Sequence, residues 1–473
     1  MNLTRNNNTI KFPQPKIFYL SSFISSLYNG IIGSLFVVYL LAINFNPAQI
    51  GITLAAQRIS IIVFEIPTGI FADRYGRKKS VLISFFLFSI LFLIWFFAKN
   101  FYLLILISMM GGLAYTFQSG ARDSLLIDNL GLQNDDKKRD KIFAHFSTFG
   151  LAGSIFGGII AAGLAFYWLK SIWLAASFFN LFLLFLFLFF IHENFKPTII
   201  KADKFRNFFK TAKNNFKLII QDKIIILFMV VNAVFVFLTA IYGLIYPILF
   251  KQSIHIPNYY FGLLGTLSAV TGIIGIFFAQ RLTRRKNYFF TLGCLSLMLG
   301  VFFLLFGFKS AFWWSVIIFS LIELVINGWY PIYQSLFNKF IPDQNRAGIL
   351  STNSTFSLLF IALGELITGL ALNFIKPNNV LMLATPIFLV LIILIIKLHK
   401  EKNPKQNDSV SGAAFCGFLS AATAGPALRV HVDHIQNPLR PFDALGRKAH
   451  NGLFHRSSPP SFLLKRLWHN RFF

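Results

Sequence analysis

Acidic residues are scarce in this sequence: 17 Asp and Glu among 473 residues, against 44 Lys and Arg. Charged residues of both signs make up 13%, about half the 25% of a soluble domain. With 56% of residues hydrophobic, 60 of them Phe, and a mean hydropathy of +0.64, too little polar surface remains to cover a soluble fold. A globular enzyme is excluded on that ground. Cysteine is nearly absent, and Cys294 and Cys416 cannot build a disulfide framework. No His, Cys and carboxylate group has ligand spacing in the first 400 residues, so neither a metal nor another cofactor is expected. His-Glu-x-x-His, Gly-x-Ser-x-Gly and Gly-x-x-x-x-Gly-Lys runs are missing too, which disfavours a membrane hydrolase, leaves no catalytic residue to name and excludes a single-chain nucleotide-driven pump.

What fills the chain is a series of apolar runs, each near the roughly 20 residues that cross a bilayer. They predict spans at 17–43, 48–72, 80–98, 101–121, 142–167 and 172–192, then at 224–250, 259–280, 288–308, 310–336, 349–374 and 379–397. Of the 44 Lys and Arg, 38 fall in the termini and the loops on one side of this arrangement, 193–223 being the longest such loop. Single lysines (Lys99, Lys170, Lys251, Lys309 and Lys376) mark the other side, and Arg58 lies inside a span. Positive loops face the cytoplasm. The net charge of +27 is therefore topological rather than a footprint for nucleic acid, and both termini are expected inside a cell membrane. The first run, 27 residues without a small-residue cleavage site, reads as a retained span rather than a signal peptide.

The two sets of six spans repeat. Setting Ala72 on Ala279, an offset of 207, aligns Arg74 with Arg281, Arg77 with Arg284 and Lys79 with Lys286. The same offset carries Ile17, which opens the first span, onto Ile224, which opens the seventh. Two landmarks on one offset indicate a duplicated six-span half. The expected domains are a bundle over 1–192, a basic linker over 193–223, a second bundle over 224–397 and a tail over 398–473.

Within the turn Gly69-Ile-Phe-Ala-Asp73-Arg74-Tyr-Gly76-Arg77-Lys78-Lys79, Gly69 would let helices approach and Gly76 would permit a tight reversal. Asp73 sits among four cations at the membrane edge. This run resembles the signature loop of the major facilitator superfamily, matched at every fixed position. Glu65-Ile-Pro67-Thr68-Gly69, Ser119-Gly120-Ala121 with Leu126-Ile127-Asp128, and Asn338 to Ser351 resemble its bacterial drug-efflux-like branch. The resemblance covers 17–397 and implies an all-α polytopic membrane protein, twelve transmembrane helices in two six-helix bundles that alternately expose a central cavity. It implies a cytoplasmic gate in which Asp73 pairs with Arg77 and faces the eleventh span, with Asp128, Arg122 and Asp123 as partners. A plain positive-inside anchor is the other reading of the loop, and a solvated helix end the other reading of Arg122 and Asp123.

Charges kept inside a bilayer face a cavity or a partner. Arg58 and Glu65 share a face of the second span, about 10.5 Å apart along its axis, and are not expected to pair. Glu323 lies halfway along the tenth span and Glu365 two-thirds along the eleventh. Desolvation favours a protonated carboxyl, so Glu323, Glu365 and Glu65 are the candidates to carry a coupling proton. The alternatives are an interhelical hydrogen bond or a buried pair with Arg58, and Glu65 fits helix packing better. Tyr28, Asn29, Gln118, Asn232, Tyr246, Asn327, Tyr330 and Arg58 are expected to line a cavity for an amphiphilic or hydrophobic cation.

Gly153-Ser154-Ile-Phe-Gly157-Gly158 in the fifth span resembles the family's antiporter motif with Ser154 in place of proline, which supports efflux in part and leaves a nutrient importer open. Residues 407–473 change composition abruptly, with one Ile, five of the nine His and six Arg against two Lys. They read either as a disordered tail or as out-of-frame sequence, and are expected to pack on nothing. The expected function is a monomeric secondary transporter in the lipid bilayer, exchanging a small-molecule substrate for protons. A receptor would need an extracytoplasmic domain that no loop is long enough to form.

Overall fold

The computed structural model describes residues 15–132, 135–193, 219, 221–309, 311–342 and 345–402; the expectation for the tail, and most of the linker, lie outside them. Among the described residues there are thirteen α-helices and no strand. They are α1 (Pro15–Ala42), α2 (Pro47–Tyr75), α3 (Arg77–Phe97), α4 (Phe101–Gln118), α5 (Ala121–Leu130), α6 (Asp136–Tyr167) and α7 (Ser171–Phe190), followed by α8 (Lys223–Ile248), α9 (Tyr259–Arg285), α10 (Tyr288–Phe308), α11 (Phe312–Phe337), α12 (Arg346–Ala371) and α13 (Pro377–Lys402). Together α4 and α5 form the fourth of twelve helices long and apolar enough to cross a membrane. Helix starts recur between the halves at nearly constant spacing, from 206 (Ser171 to Pro377) to 212 (Pro47 to Tyr259), near the sequence offset of 207.

Several helices outrun their apolar runs at the basic ends: α6 begins at Asp136 rather than 142, and α9 continues to Arg285 rather than 280. Hydropathy marks the hydrocarbon slab, whereas backbone hydrogen bonding continues into the interface. Polar residues set the starts. Asn46 and Gln49 form a reciprocal capping box around Pro47 at the start of α2, and Asn100, Asp135, Asp222 and Asn287 each accept backbone N–H groups at the starts of α4, α6, α8 and α10. Gly120 (φ +69°) breaks the fourth span into α4 and α5.

Each half has an aromatic core. Trp95 stacks on Trp173 at 4.6 Å beside Tyr39 and Phe36, and Phe235, Trp329 and Tyr333 stack in the second half. The halves meet along α2 against α12 and α6 against α9. Glycine makes both seams: a Cβ on Gly51 would strike the Glu365 carbonyl, one on Gly369 would sit 2.6 Å from the Pro47 carbonyl, and one on Gly262 would meet Ala162. These contacts lie toward the face that carries the α1–α2 turn, away from the basic loops. Toward the basic loops, Gly69 faces open space and Val63, Tyr115 and Asp73 are exposed. The structure is open on its basic face and closed on the other.

Candidate functional site

Within the membrane-spanning part, three polar clusters form. The first joins the halves: Arg58 on α2 donates from Nη2 and Nε to Glu365 Oε1 on α12, at 3.3 and 3.4 Å. Glu365 is buried, with 7% of its side chain exposed against 32% for Arg58, and its Oε2 has no hydrogen-bond partner among the described residues. The buried pair named as an alternative is thus the arrangement found for Glu365. Glu65 does not join it. Tyr115, 46% exposed, stands within electrostatic reach of Glu65, Arg58 and Asp123, so these four share one wall of the first half.

The second cluster belongs to the C-terminal half. Glu323 on α11 is half-buried, and its Oε2 accepts from Ser268 Oγ on α9 at 2.6 Å and from Asn327 Nδ2 at 3.4 Å. Tyr242 and Tyr246 of α8 stand beside it. The interval of four residues between Glu323 and Asn327 puts both on one face, as the sequence suggested. The small residues Gly272, Gly275 and Gly328 bring α9 and α11 close enough for Ser268 to reach. Tyr330 is exposed and accepts from Gln334 Nε2, one turn nearer the basic face.

The third cluster corrects an expectation. Arg122 does not join the gate: it turns into the first half, donating to Ser25 Oγ at 3.0 Å and Ser21 Oγ at 3.1 Å, and lies over the Phe146 ring. A cation so close to the apolar core is better solvated by the hydroxyls of α1 than by any group in the loop. Tyr28, 2% exposed, lies beside Arg122, Gln118 and Asn29, and packs on Phe92 rather than lining open space, while Asn29 is exposed. Asn232 is another correction, since it is buried and donates to Ser357 Oγ at 2.7 Å, bridging α8 and α12.

At the basic face, Arg77 forms an ion pair with Asp128 at the end of α5, two residues the resemblance had brought together. Asp73 pairs with neither and is exposed, so its expected bond to Arg77 is absent in this open arrangement. The explanation is geometric: Arg77 opens α3 and points across to α5, whereas Asp73 ends the exposed face of α2. Arg74 lies over the ring of Tyr75. Gly76 carries φ +107°, a conformation that L side chains rarely adopt, as the tight reversal required. Gly69 brings no helix close, because a Cβ there would meet nothing within 4 Å.

The sequence reading missed Glu193. Its carboxylate accepts from the backbone N–H groups of Arg77 and Lys78 at 2.8 and 2.9 Å, capping α3 from the end of α7, while Lys78 Nζ donates to the Leu188 carbonyl. A lone acidic residue just past an apolar span, facing a helix that lacks its own side-chain cap, was the available signal. The glycines of the fifth span serve packing. Gly153 and Gly157 lie against Phe23, Leu27 and Gly30 of α1, and Gly158 lies against Gly262 and Thr266 across the seam.

The sequence matches the Major Facilitator Superfamily over residues 18–323 and 228–473. The uncharacterized MFS-type transporter YxaM of Bacillus subtilis (strain 168) is 26% identical over 373 residues, 76% of this chain and 88% of YxaM. The quinolone resistance protein NorA of Staphylococcus aureus is 23% identical over 403 residues, 83% of this chain and 98% of NorA. A mutant form of the nucleoside transporter NupG has the same fold, with a TM-score of 0.69 at 14% identity over 81% of this chain and 99% of NupG. The chain belongs to the Major Facilitator Superfamily and is a multi-pass membrane transporter.

Proposed function

We propose that this superfamily member exports small amphiphilic compounds in exchange for protons, as a monomer in the cell membrane with the basic loops and both termini in the cytoplasm. The observation that carries the reading is Glu323: a half-buried carboxylate at mid-membrane, ringed by Ser268, Asn327, Tyr242 and Tyr246. Hydroxyls and an amide hold the carboxylate in place without neutralising it. Aromatic faces beside it suit the positive end of an amphiphile, and either that cation or a proton satisfies the charge. Two ligands that compete for one carboxylate give exchange. The likeness to NorA, named for quinolone resistance, favours export, and the positive-inside rule supports the orientation. The signature loop then faces the cytoplasm. Closure of that face would bring Asp73 toward the start of α12, with Arg77 held by Asp128.

The test is uptake of ethidium, a fluorescent amphiphilic cation, into proteoliposomes under an imposed pH gradient. Gradient-driven accumulation is expected, and Glu323→Gln should reduce it at least tenfold, about 1.4 kcal/mol of lost coupling, with ethidium held more weakly and moving only down its own gradient. Normal accumulation by Glu323→Gln removes the carboxylate from the mechanism. Movement of ethidium with the proton flow rather than against it overturns the direction.

A further inference from the structure

Arg58 and Glu365 tie the two halves at the seam that is closed in this structure, and Arg58 has a second carboxylate within reach on its own helix. Seven residues along α2 toward the basic face, two turns on, lies Glu65, about 10.5 Å away along the axis, a gap that extended Arg and Glu side chains can bridge. Tyr115 feels both charges, so the three share one wall, with Asp123 of α5 at the same wall. Among the described residues Glu365 has no such alternative. Arg58 is the charged group that acts on it; α2 otherwise offers it the backbone around Gly51, while at neighbouring Gly364 the facing α8 residues are Phe237 and Ala240. Its Oε2 is buried and has no hydrogen-bond partner among the described residues.

We propose that Arg58 is a partner-switching residue that pairs with Glu365 while the basic face is open and passes to Glu65 as the opposite face opens, leaving Glu365 to take up a proton. The charges require this sequence. Separating α2 from α12 removes the guanidinium, and a buried carboxylate without a cation is costly unless neutralised. The water that then enters the seam supplies the proton to Glu365 from the non-basic side. When the seam closes again, the returning guanidinium favours the ionised carboxylate, and the proton leaves through the cavity open to the basic side. Glu365 carries one proton per cycle, separate from the exchange at Glu323. In the other state Arg58 stays compensated, because Glu65 replaces the carboxylate it left.

This switch rests on the proton-coupled reading above but not on its substrate or direction, and the test needs no substrate. Spin labels would be attached at Ala42→Cys and Gln252→Cys in the full chain, with Cys294 and Cys416 replaced by Ser, in liposomes. Ala42 and Gln252 are exposed residues of opposite halves at the non-basic face, beside the cavity of about 500 Å³ between the α1–α2 turn and the end of α8. The distance between the labels should lengthen as the buffer is moved from mildly alkaline to mildly acidic. Glu365→Gln should raise the long-distance population at least tenfold in alkaline buffer and abolish the pH response. Arg58→Gln should also open the seam, while Arg58→Lys should restore the short distance in alkaline buffer. Glu65→Gln should keep the short distance in alkaline buffer and blunt the opening in acid, which loss of packing alone would not produce. A normal pH response in Glu365→Gln or in Glu65→Gln overturns the switch, as does a response that vanishes in Glu323→Gln instead. An intact response in a protein that accumulates no ethidium leaves the switch standing and removes the export reading.

Discussion

Glu323 and Glu365 are alike in the sequence, each a lone carboxylate well inside an apolar span, and the fold treats them in opposite ways. Glu323 is answered by a hydroxyl and an amide from its own half and keeps part of its surface exposed. Glu365 is answered by a cation from the other half and is buried. A carboxylate held by neutral donors can gain or lose a proton while the helices stay where they are. A carboxylate held by the opposite half cannot change its charge without altering the seam. The first arrangement suits binding, the second suits movement, and the difference can be tested by how much each costs to remove.

The largest effect is expected at the interhalf pair. Removing one partner of a buried ion pair leaves an uncompensated charge and costs about 3–5 kcal/mol, whereas replacing both with apolar groups is often neutral. Glu365→Leu, which leaves Arg58 only Glu65 along its own helix, and Arg58→Leu, which strands Glu365, should each lower thermal stability in detergent. Arg58→Leu with Glu365→Leu should recover most of the loss while abolishing pH-driven opening. Because 32% of the Arg58 side chain is exposed, Glu365→Leu should fall at the low end and Arg58→Leu should be the more damaging. Equal, additive losses in the two single variants and the double variant would mean that the residues do not act as a pair.

A smaller effect separates the glycines beside each carboxylate. At Gly51 a Cβ would strike the backbone of α12 at Glu365, which cannot move without the helix. Overpacking of that kind costs about 1–3 kcal/mol, and Gly51→Ala should weaken the closed seam and lengthen the label distance. At Gly272 the nearest atom to an added Cβ is Cγ of Asn327, at 2.9 Å, a side chain that can turn aside. Alanine is also favoured over glycine in a helix by roughly 0.5–1 kcal/mol, so Gly272→Ala should be near neutral in stability. It should instead weaken ethidium binding, because Asn327 is displaced from Glu323. Seam closure unchanged in Gly51→Ala would remove the argument that glycine contact brings Glu365 within reach of Arg58.

Span number, the repeat offset and the placement of basic loops were legible because they depend on where apolar runs begin and end, and lipid enforces that locally. The conformation of Gly76 was legible too, since a one-residue reversal between two helices has few alternatives. What stayed hidden depends on rotation about helix axes. Nothing in the spacing of Arg122 says that it faces Ser21 and Ser25 of α1 rather than the loop. Nothing in Asn232 distinguishes a cavity residue from one bonded to Ser357. Gly69 illustrates another limit, because the surface it would approach depends on which face of the transporter is open. Pairs made between the halves, such as Arg58 with Glu365, require both the rotation and the state, and were visible as one alternative among several.

The smallest effect should be that of Glu323→Gln on stability, and it bears most directly on the comparison. Glutamine keeps a carbonyl oxygen that can accept from Ser268 Oγ and Asn327 Nδ2, so the geometry of α9 against α11 survives. Hydrogen bonds to a charged group contribute about 1.5–3 kcal/mol and neutral ones about 0.5–1.5, so the exchange weakens these contacts. It also removes the cost of holding a charge in the membrane, at least about 2.5 kcal/mol at the centre. These changes oppose one another, and the net shift should stay within about 1 kcal/mol. Thermal unfolding of Glu323→Gln should therefore nearly match that of the unmodified protein, although its gradient-driven accumulation is lost. A loss as large as that from Glu365→Leu would show that Glu323 braces the second half, and would place both carboxylates in the same structural role.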